Sequence, residues 1–265
     1  DHVAAKRSAG KSTAGAKREK AIHIAVDEWN SWWGQHEPMR GGSSKKAGSS
    51  SASTLGPEWS VGRKLLEEVY AMEDALLVGG MLITMLNHCD RVKIACLAQT
   101  VNAIAPIMTR KGGGAWRQAI YWPFYYTSKY AKGGLALRPA FEGGSSSGTA
   151  LTDGGMAHPF LVTAAVLSSG KDELRLFVVN RNLREAVDLE VCVAGMGLES
   201  VVEFVELKHT KLNAVNTEEE QGNVRPTNRD VKDATVSDDA LKAKLAAGSW
   251  NLLRLRLKSA VVSVN

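Results

Sequence analysis

Cysteine is scarce in this chain. Cys89, Cys96 and Cys192 are the only three in 265 residues, too few and too scattered for a disulfide framework. Their odd count leaves at least one without a partner in the chain, and all three are expected to be buried thiols. Long hydrophobic runs are missing as well. The stretch from Ala75 to Cys89 falls short of the ~18 apolar residues that a spanning helix needs, so no membrane segment is expected. No signal peptide opens the chain. The first residue is Asp1 rather than methionine, so the natural N-terminus is expected upstream, and compartment stays open with a cytoplasmic setting favoured. No Cys/His cluster has metal-ligand spacing and no phosphate-cradling glycine loop follows a strand. No cofactor is implied. No internal repeat is apparent.

The net charge of +5 is modest. Much of it comes from Lys6, Arg7, Lys11, Lys17, Arg18 and Lys20. No nucleic-acid recognition motif accompanies that cluster, so it reads as a solvated helix face or frayed end within the Ala- and Lys-rich residues 1–20, and no nucleic-acid partner is expected.

What the chain does have is a change of pattern near residue 132. Before it, strand and helix alternate. A β-prone run at 22–27 is followed by a Gly- and Ser-rich stretch at about 34–60, expected as a flexible loop that could rim a cleft with Trp59. A helix is predicted over 73–88, with Glu73 and Asp74 in its first turn, where the helix dipole favours negative charge. Its apolar residues cover most of the circumference, which predicts burial on more than one side, and Gly79-Gly80 permits close packing. A second buried strand is predicted at 92–101. An aromatic helix is predicted from Trp116 to Tyr130, kinked or broken at Pro123. Such alternation argues βαβ units and a parallel sheet. After residue 132 the segments 174–179, 187–191 and 253–257 alternate with period 2, as strands with one wet face do in an antiparallel sandwich. The polar stretch 213–240 reads as a loop.

The densest chemistry lies in Asp27-Glu28-Trp29-Asn30-Ser31-Trp32-Trp33. A carboxylate pair ends a parallel strand, where barrel enzymes keep their chemistry, and the tryptophans offer flat faces that stack on sugar rings. The same residues also read as a strand end with a solvated Asp-Glu pair beside core tryptophans.

This string resembles the nucleophile motif of glycoside hydrolase family 51, the α-L-arabinofuranosidases. The resemblance continues through Glu73-Asp74-Ala75-Leu76, His88 to Ala95, Leu97-Ala98-Gln99-Thr100-Val101-Asn102, Ile104 to Thr109, Ala115-Trp116-Arg117-Gln118 and Tyr121-Trp122-Pro123-Phe124. It covers residues 20–130 firmly and the remainder weakly. It implies an α/β plus all-β fold. Residues 1–131 would be the C-terminal part of a (β/α)₈ barrel, carrying its last two strands and helices, and residues 132–265 an antiparallel β-sandwich. It implies hydrolysis of terminal arabinofuranosyl groups on arabinan- or arabinoxylan-type glycans with retention of configuration, by two carboxyl groups. Glu28 would be the nucleophile, Gln99 would bond near it and the sugar 2-hydroxyl, and Trp32 would line the pocket. Packing and satisfied-amide roles stand as alternatives for Trp32 and Gln99. The family's acid/base lies in an Asn-Glu dipeptide, and none occurs in this sequence. Glu37, Glu58, Glu67, Glu68, Glu73, Asp74 and Asp90 do not match its context. His23 and His88 are assigned no catalysis. The family also suggests homo-oligomers. Alternatives to the arabinofuranosidase are an endoglucanase or xylosidase of the same family, or a truncated, inactive or carbohydrate-binding protein.

Overall fold

A computed structural model describes residues 22–31, 67–140, 150–153, 156–193, 195–237 and 239–258. The expected helix at 1–20, the stretch at 34–60, Trp32, Trp33, Trp59, Glu37 and Glu58 lie outside the described residues. Among the described residues the fold is mostly β-sheet, with two α-helices. In chain order the elements are β1 (Ile24–Trp29), α1 (Met72–Asn87), β2 (Val92–Leu97), β3 (Ile107–Thr109), β4 (Ala115–Arg117), α2 (Tyr121–Ala131), β5 (Leu135–Leu137), β6 (Ala150–Asp153), β7 (Met156–Pro159), β8 (Leu161–Leu167), β9 (Glu173–Asn180), β10 (Val187–Cys192), β11 (Leu198–Leu207), β12 (Thr227–Asn228), a 3₁₀ turn (Val231–Asp233), β13 (Ala234–Ser237), β14 (Ala240–Leu245) and β15 (Ser249–Leu257).

The only parallel pair between described strands is β1 with β2, joined through α1, with Ile24 opposite Val92 and Trp29 opposite Leu97. Their burial corrects an expectation. Both were predicted as buried, yet most of their residues are exposed, Ile94 at 52%. A parallel strand is buried when neighbours and helices cover both faces. Among the described residues, α1 covers this two-stranded sheet and no third strand pairs with it.

Among the described residues β3 pairs with β4 and β6 with β7 in two separate antiparallel pairs, and two larger antiparallel sheets hold the remaining strands. One has the order β12-β11-β15-β9-β8-β5, the other β10-β14-β13. The odd and even residues of the central strands sort into two cores, as the strand period of two requires. Leu174, Leu176 and Val178 of β9, with Leu253, Leu255 and Leu257 of β15, face Leu189, Leu241 and Leu245 of the smaller sheet. Phe177, Val179, Trp250 and Leu252 point the other way, against Met72, Ala75 and Ile83 of α1 and Tyr130 of α2. The one-wet-face reading therefore holds only along part of β9 and β15. Register places Trp250 beside Val179 and Leu252 beside Phe177, under the helices, and Arg254 beside Arg175. Arg254 lies on the Trp250 side but is only partly covered, and there it pairs with Glu173 and Glu203.

Helix α1 serves two cores, as its broad apolar surface predicted. Met72, Ala75 and Ile83 join the sheet core, whereas Val78 and Leu82 pack with Trp29, Tyr70 and Ile120. One core thus contains residues from both sides of residue 131.

Three further expectations are corrected. Trp116 belongs to β4, and α2 begins only at Tyr121, so Pro123 occupies its first turn and does not break it. The first turn's amide hydrogens have no intrahelical acceptor, and a missing one costs nothing there. The stretch 213–240 carries β12, the 3₁₀ turn and β13, with Val224 and Asn216 buried; Asn216 accepts from Val224 N–H at 2.7 Å and donates to the Arg117 carbonyl at 2.9 Å, so polar residues close backbone groups inside the fold. Cys89, Cys96 and Cys192 are all exposed rather than buried. Cys89 follows the end of α1, Cys96 lies on the uncovered sheet and Cys192 ends β10.

Candidate active site

The strand that carries Glu28 runs two residues further than its apolar pattern predicted, so Glu28 lies inside β1 near its C-terminal end. Its side chain is exposed while that of Trp29 is buried. Neighbouring side chains of a strand leave on opposite faces, which separates Glu28 from Trp29, although Asp27 is exposed as well and the pairing with β2 is irregular between Val26 and Trp29. The Trp29 carbonyl accepts from Ala98 N–H at 3.0 Å. Glu28 and Gln99 each sit one residue from that bond, so they occupy the same end of the parallel pair. Gln99 is exposed as well. Trp32, the third residue expected in the site, lies outside the described residues.

The backbone just after Glu28 is held by several separate elements. Asn30 Nδ2 donates to the Ile104 carbonyl at 2.6 Å, and Asn30 Oδ1 accepts from Ser31 N–H at 2.8 Å. Ile104 has φ +39°, a left-handed conformation that a β-branched side chain rarely adopts. Such strain persists where surrounding contacts over-determine it, and it clusters at functional sites. The neighbouring Asn102, with φ +65°, closes the same turn by accepting from Thr109 N–H at 2.7 Å.

Ser31 is buried. Its hydroxyl donates to Asp74 Oδ1 at 3.3 Å, and its carbonyl accepts from the Tyr70 hydroxyl at 2.9 Å. Asp74 Oδ2 in turn accepts from Ala71 N–H at 2.7 Å. The Asp74 carboxylate therefore sits in the first turn of α1 as the sequence placed it, and it is 1% exposed. Burial, then the charges of Glu68 and Asp74, pushes the Tyr70 phenol well above its usual range, so it stays protonated and remains a donor to Ser31.

Gln118 fastens the layer beneath. Its Oε1 accepts from Tyr70 N–H at 2.8 Å, and its Nε2 donates to the carbonyls of Ala105 at 2.8 Å and Glu68 at 3.0 Å. In the sequence Gln118 stands out only as part of a longer motif, and Asp74 only as an acidic residue of a helix's first turn. Their signal becomes readable only when the distant partners are known, because Ser31 lies 43 positions from Asp74 and Tyr70 lies 48 from Gln118.

A cleft of about 450 Å³ opens beside this region, lined by Glu67, Asn102, Thr109, Lys111 and Trp116 among others. Neither Glu28 nor Gln99 lines it. No group of three or more His, Cys, Asp or Glu residues suited to a metal occurs among the described residues. No helix of the described residues is long and apolar enough to cross a membrane.

Comparison with known proteins identifies relatives of this chain. The family profile for the α-L-arabinofuranosidase C-terminal domain matches residues 27–249. An intracellular exo-α-(1→5)-L-arabinofuranosidase of Halalkalibacterium halodurans is 39% identical over 91% of this chain and 44% of its own length. An exo-α-(1→6)-L-arabinofuranosidase of Bifidobacterium longum is 37% identical over 96% of this chain and 45% of its own. Among solved structures, a family 51 α-L-arabinofuranosidase from Bifidobacterium longum superposes with TM-score 0.70 at 29% identity, covering 89% of this chain and 42% of that one. The chain thus spans less than half the length of these relatives.

Proposed function

This chain belongs to the α-L-arabinofuranosidases of glycoside hydrolase family 51, as their C-terminal part, and we propose that it contributes the nucleophile to a retaining, exo-acting enzyme. That enzyme releases terminal α-L-arabinofuranosyl groups from arabinan- and arabinoxylan-type glycans. The relatives' names support the sugar and the exo action. Two relatives of nearly equal identity are named for different linkages, 1→5 and 1→6, so the proposal stops at the terminal sugar. It places the enzyme inside the cell, as the name of the Halalkalibacterium relative does.

In this reading β1 and β2 are the last two strands of a (β/α)₈ barrel whose other strands come from the part of the longer relatives that this chain does not span. The parallel pairing of β1 with β2 through α1 supports it, and so do the exposed apolar side chains of Ile22, Ile24 and Ile94. Residues 1–131 form the barrel portion and residues 132–265 the sandwich portion. Trp32 lines the sugar pocket, and Gln99 bonds near the nucleophile and the 2-hydroxyl.

The chemistry has two steps. A Glu28 carboxylate oxygen bonds to the anomeric carbon as the bond from that carbon to the leaving oxygen breaks. A carboxylic acid elsewhere gives its proton to the leaving oxygen. Water, deprotonated by the same group, then attacks the anomeric carbon and frees Glu28. The two carboxyl groups of such an enzyme stand roughly 5–5.5 Å apart. No residue of this chain is assigned the acid/base role. This chain by itself is therefore expected to hydrolyse an aryl arabinofuranoside little or not at all.

One observation carries the reading. Glu28 is exposed at the C-terminal end of a parallel strand, and the chain just beyond it is tied to β2, α1 and the turn at Ile104. In the full-length enzyme, Glu28→Gln should abolish turnover while the melting temperature stays close to wild type. A slow 2-fluorinated arabinofuranoside should label Glu28. Wild-type turnover by the variant, or a label on another side chain, would overturn the assignment.

A further inference from the structure

We propose that Asp74 is a positioning residue for the nucleophile, acting through Ser31 on the strand end that carries Glu28. The inference rests on the reading of Glu28 as nucleophile and adds to it a group nearly fifty residues away. An attacking carboxylate must be held within about 0.5 Å and 10–20° of its productive geometry by groups that are themselves fixed. Glu28 is exposed and sits near the end of β1. A group at a strand end takes its aim partly from the constraint on the chain just beyond it.

Asp74 can supply it. The carboxylate is buried and is fixed on one side by Ala71 N–H at the start of α1. The helix is anchored in turn by Met72 and Ala75 in the sheet core. On its other side the carboxylate receives the Ser31 hydroxyl. Ser31 is three residues from Glu28, and its carbonyl and amide are held by Tyr70 and Asn30. The position of Glu28 is thereby referred to a helix packed in one core with fully buried side chains of the sheet, Trp250 and Phe177 among them. A misplacement of 1 Å far from the chemistry can cost about 10²-fold in rate, so removing this tie should be visible in kcat.

The test uses the full-length enzyme with an aryl arabinofuranoside and, separately, the 2-fluorinated inactivator. Asp74→Ala should lower kcat by about 10- to 100-fold with KM nearly unchanged, and should slow labelling of Glu28 in proportion. Asp74→Asn is the conservative variant. Its oxygen can still accept from Ala71 while its NH₂ donates to a rotated Ser31 hydroxyl, so it should restore most of kcat. If Asp74→Ala fails to fold, Ser31→Ala removes only the hydroxyl and should lower kcat in the same direction by a smaller factor. A folded Asp74→Ala or Ser31→Ala enzyme with wild-type kcat and labelling rate overturns the proposal. So does a loss that Asp74→Asn does not relieve. Failure of the underlying reading looks different, because Glu28→Gln would then keep its activity whatever happens at position 74.

Discussion

Gly79 lies directly against the indole of Trp250. A Cβ at position 79 would overlap Trp250 Cδ1 and stand 2.9 Å from Nε1. Trp250 is fully buried between β15 and the helix layer, so the ring has nowhere to retreat. The adjacent Gly80 has no atom within 4 Å of the same hypothetical Cβ. Two neighbouring glycines in one helix therefore have opposite meanings, one a packing requirement and the other a vacancy of side chain.

Gly79→Ala should destabilise the fold by about 1–3 kcal/mol, the usual cost of overpacking a filled core, less the helix-propensity gain. Gly80→Ala should stabilise it by up to ~1 kcal/mol, because only the propensity gain remains. Urea denaturation of the two variants beside the parent checks both signs. Equal effects would mean that the indole moves freely.

The thiols report on the uncovered sheet. In this chain all three cysteines are exposed, so a thiol reagent should modify three under native conditions. Cys96 shares β2 with the exposed Ile94, two positions away on the same face. If further strands close the sheet in the full-length enzyme, Cys96 should become protected there. Mass mapping of the modified peptides separates the two cases, and equal reactivity of Cys96 in both proteins would count against the barrel.

A pH dependence follows from Glu173. Burial raises its carboxyl, but hydrogen bonds from Arg254 and Arg175 outweigh burial and hold it below the usual carboxylate range. A carboxyl whose folded value is depressed contributes stability that is present above its unfolded value and is lost as pH falls through the folded one. The window therefore opens near pH 4.5, the ordinary value for this group, and extends below it. At neutral pH, Glu173→Gln should be less stable than the parent by about 1.5–3 kcal/mol, the range for hydrogen bonds to charged groups. The difference should shrink as pH is lowered through that window. Thermal melts of both proteins between neutral and acid pH measure it, and a constant difference would remove Glu173 from the titration.

Much of this was legible along the chain, and the misses share a cause. Helix α1 was predictable because apolar spacing, an acidic first turn and length all agree locally, and its ends fell one residue from the expectation. The run before Glu28 was predictable as a strand for the same reason. Pro123 misled because one proline breaks a helix interior and suits a first turn equally well, and only the true start at Tyr121 distinguishes them. The cysteines misled because burial depends on what packs against each position in the fold, not on residue type.

The sequence by itself determined α1 and the strand before Glu28, the family motifs and Glu28 as the candidate nucleophile, since these depend on residue order over a few turns of chain. Only the tertiary structure decided that Asp74 reaches Ser31, that Gln118 closes Tyr70, and that alternate residues of β9 and β15 divide between two cores. Those outcomes join positions tens of residues apart. Their energies come from excluding water between surfaces that meet only after folding, and from hydrogen bonds that the excluded water would otherwise have made.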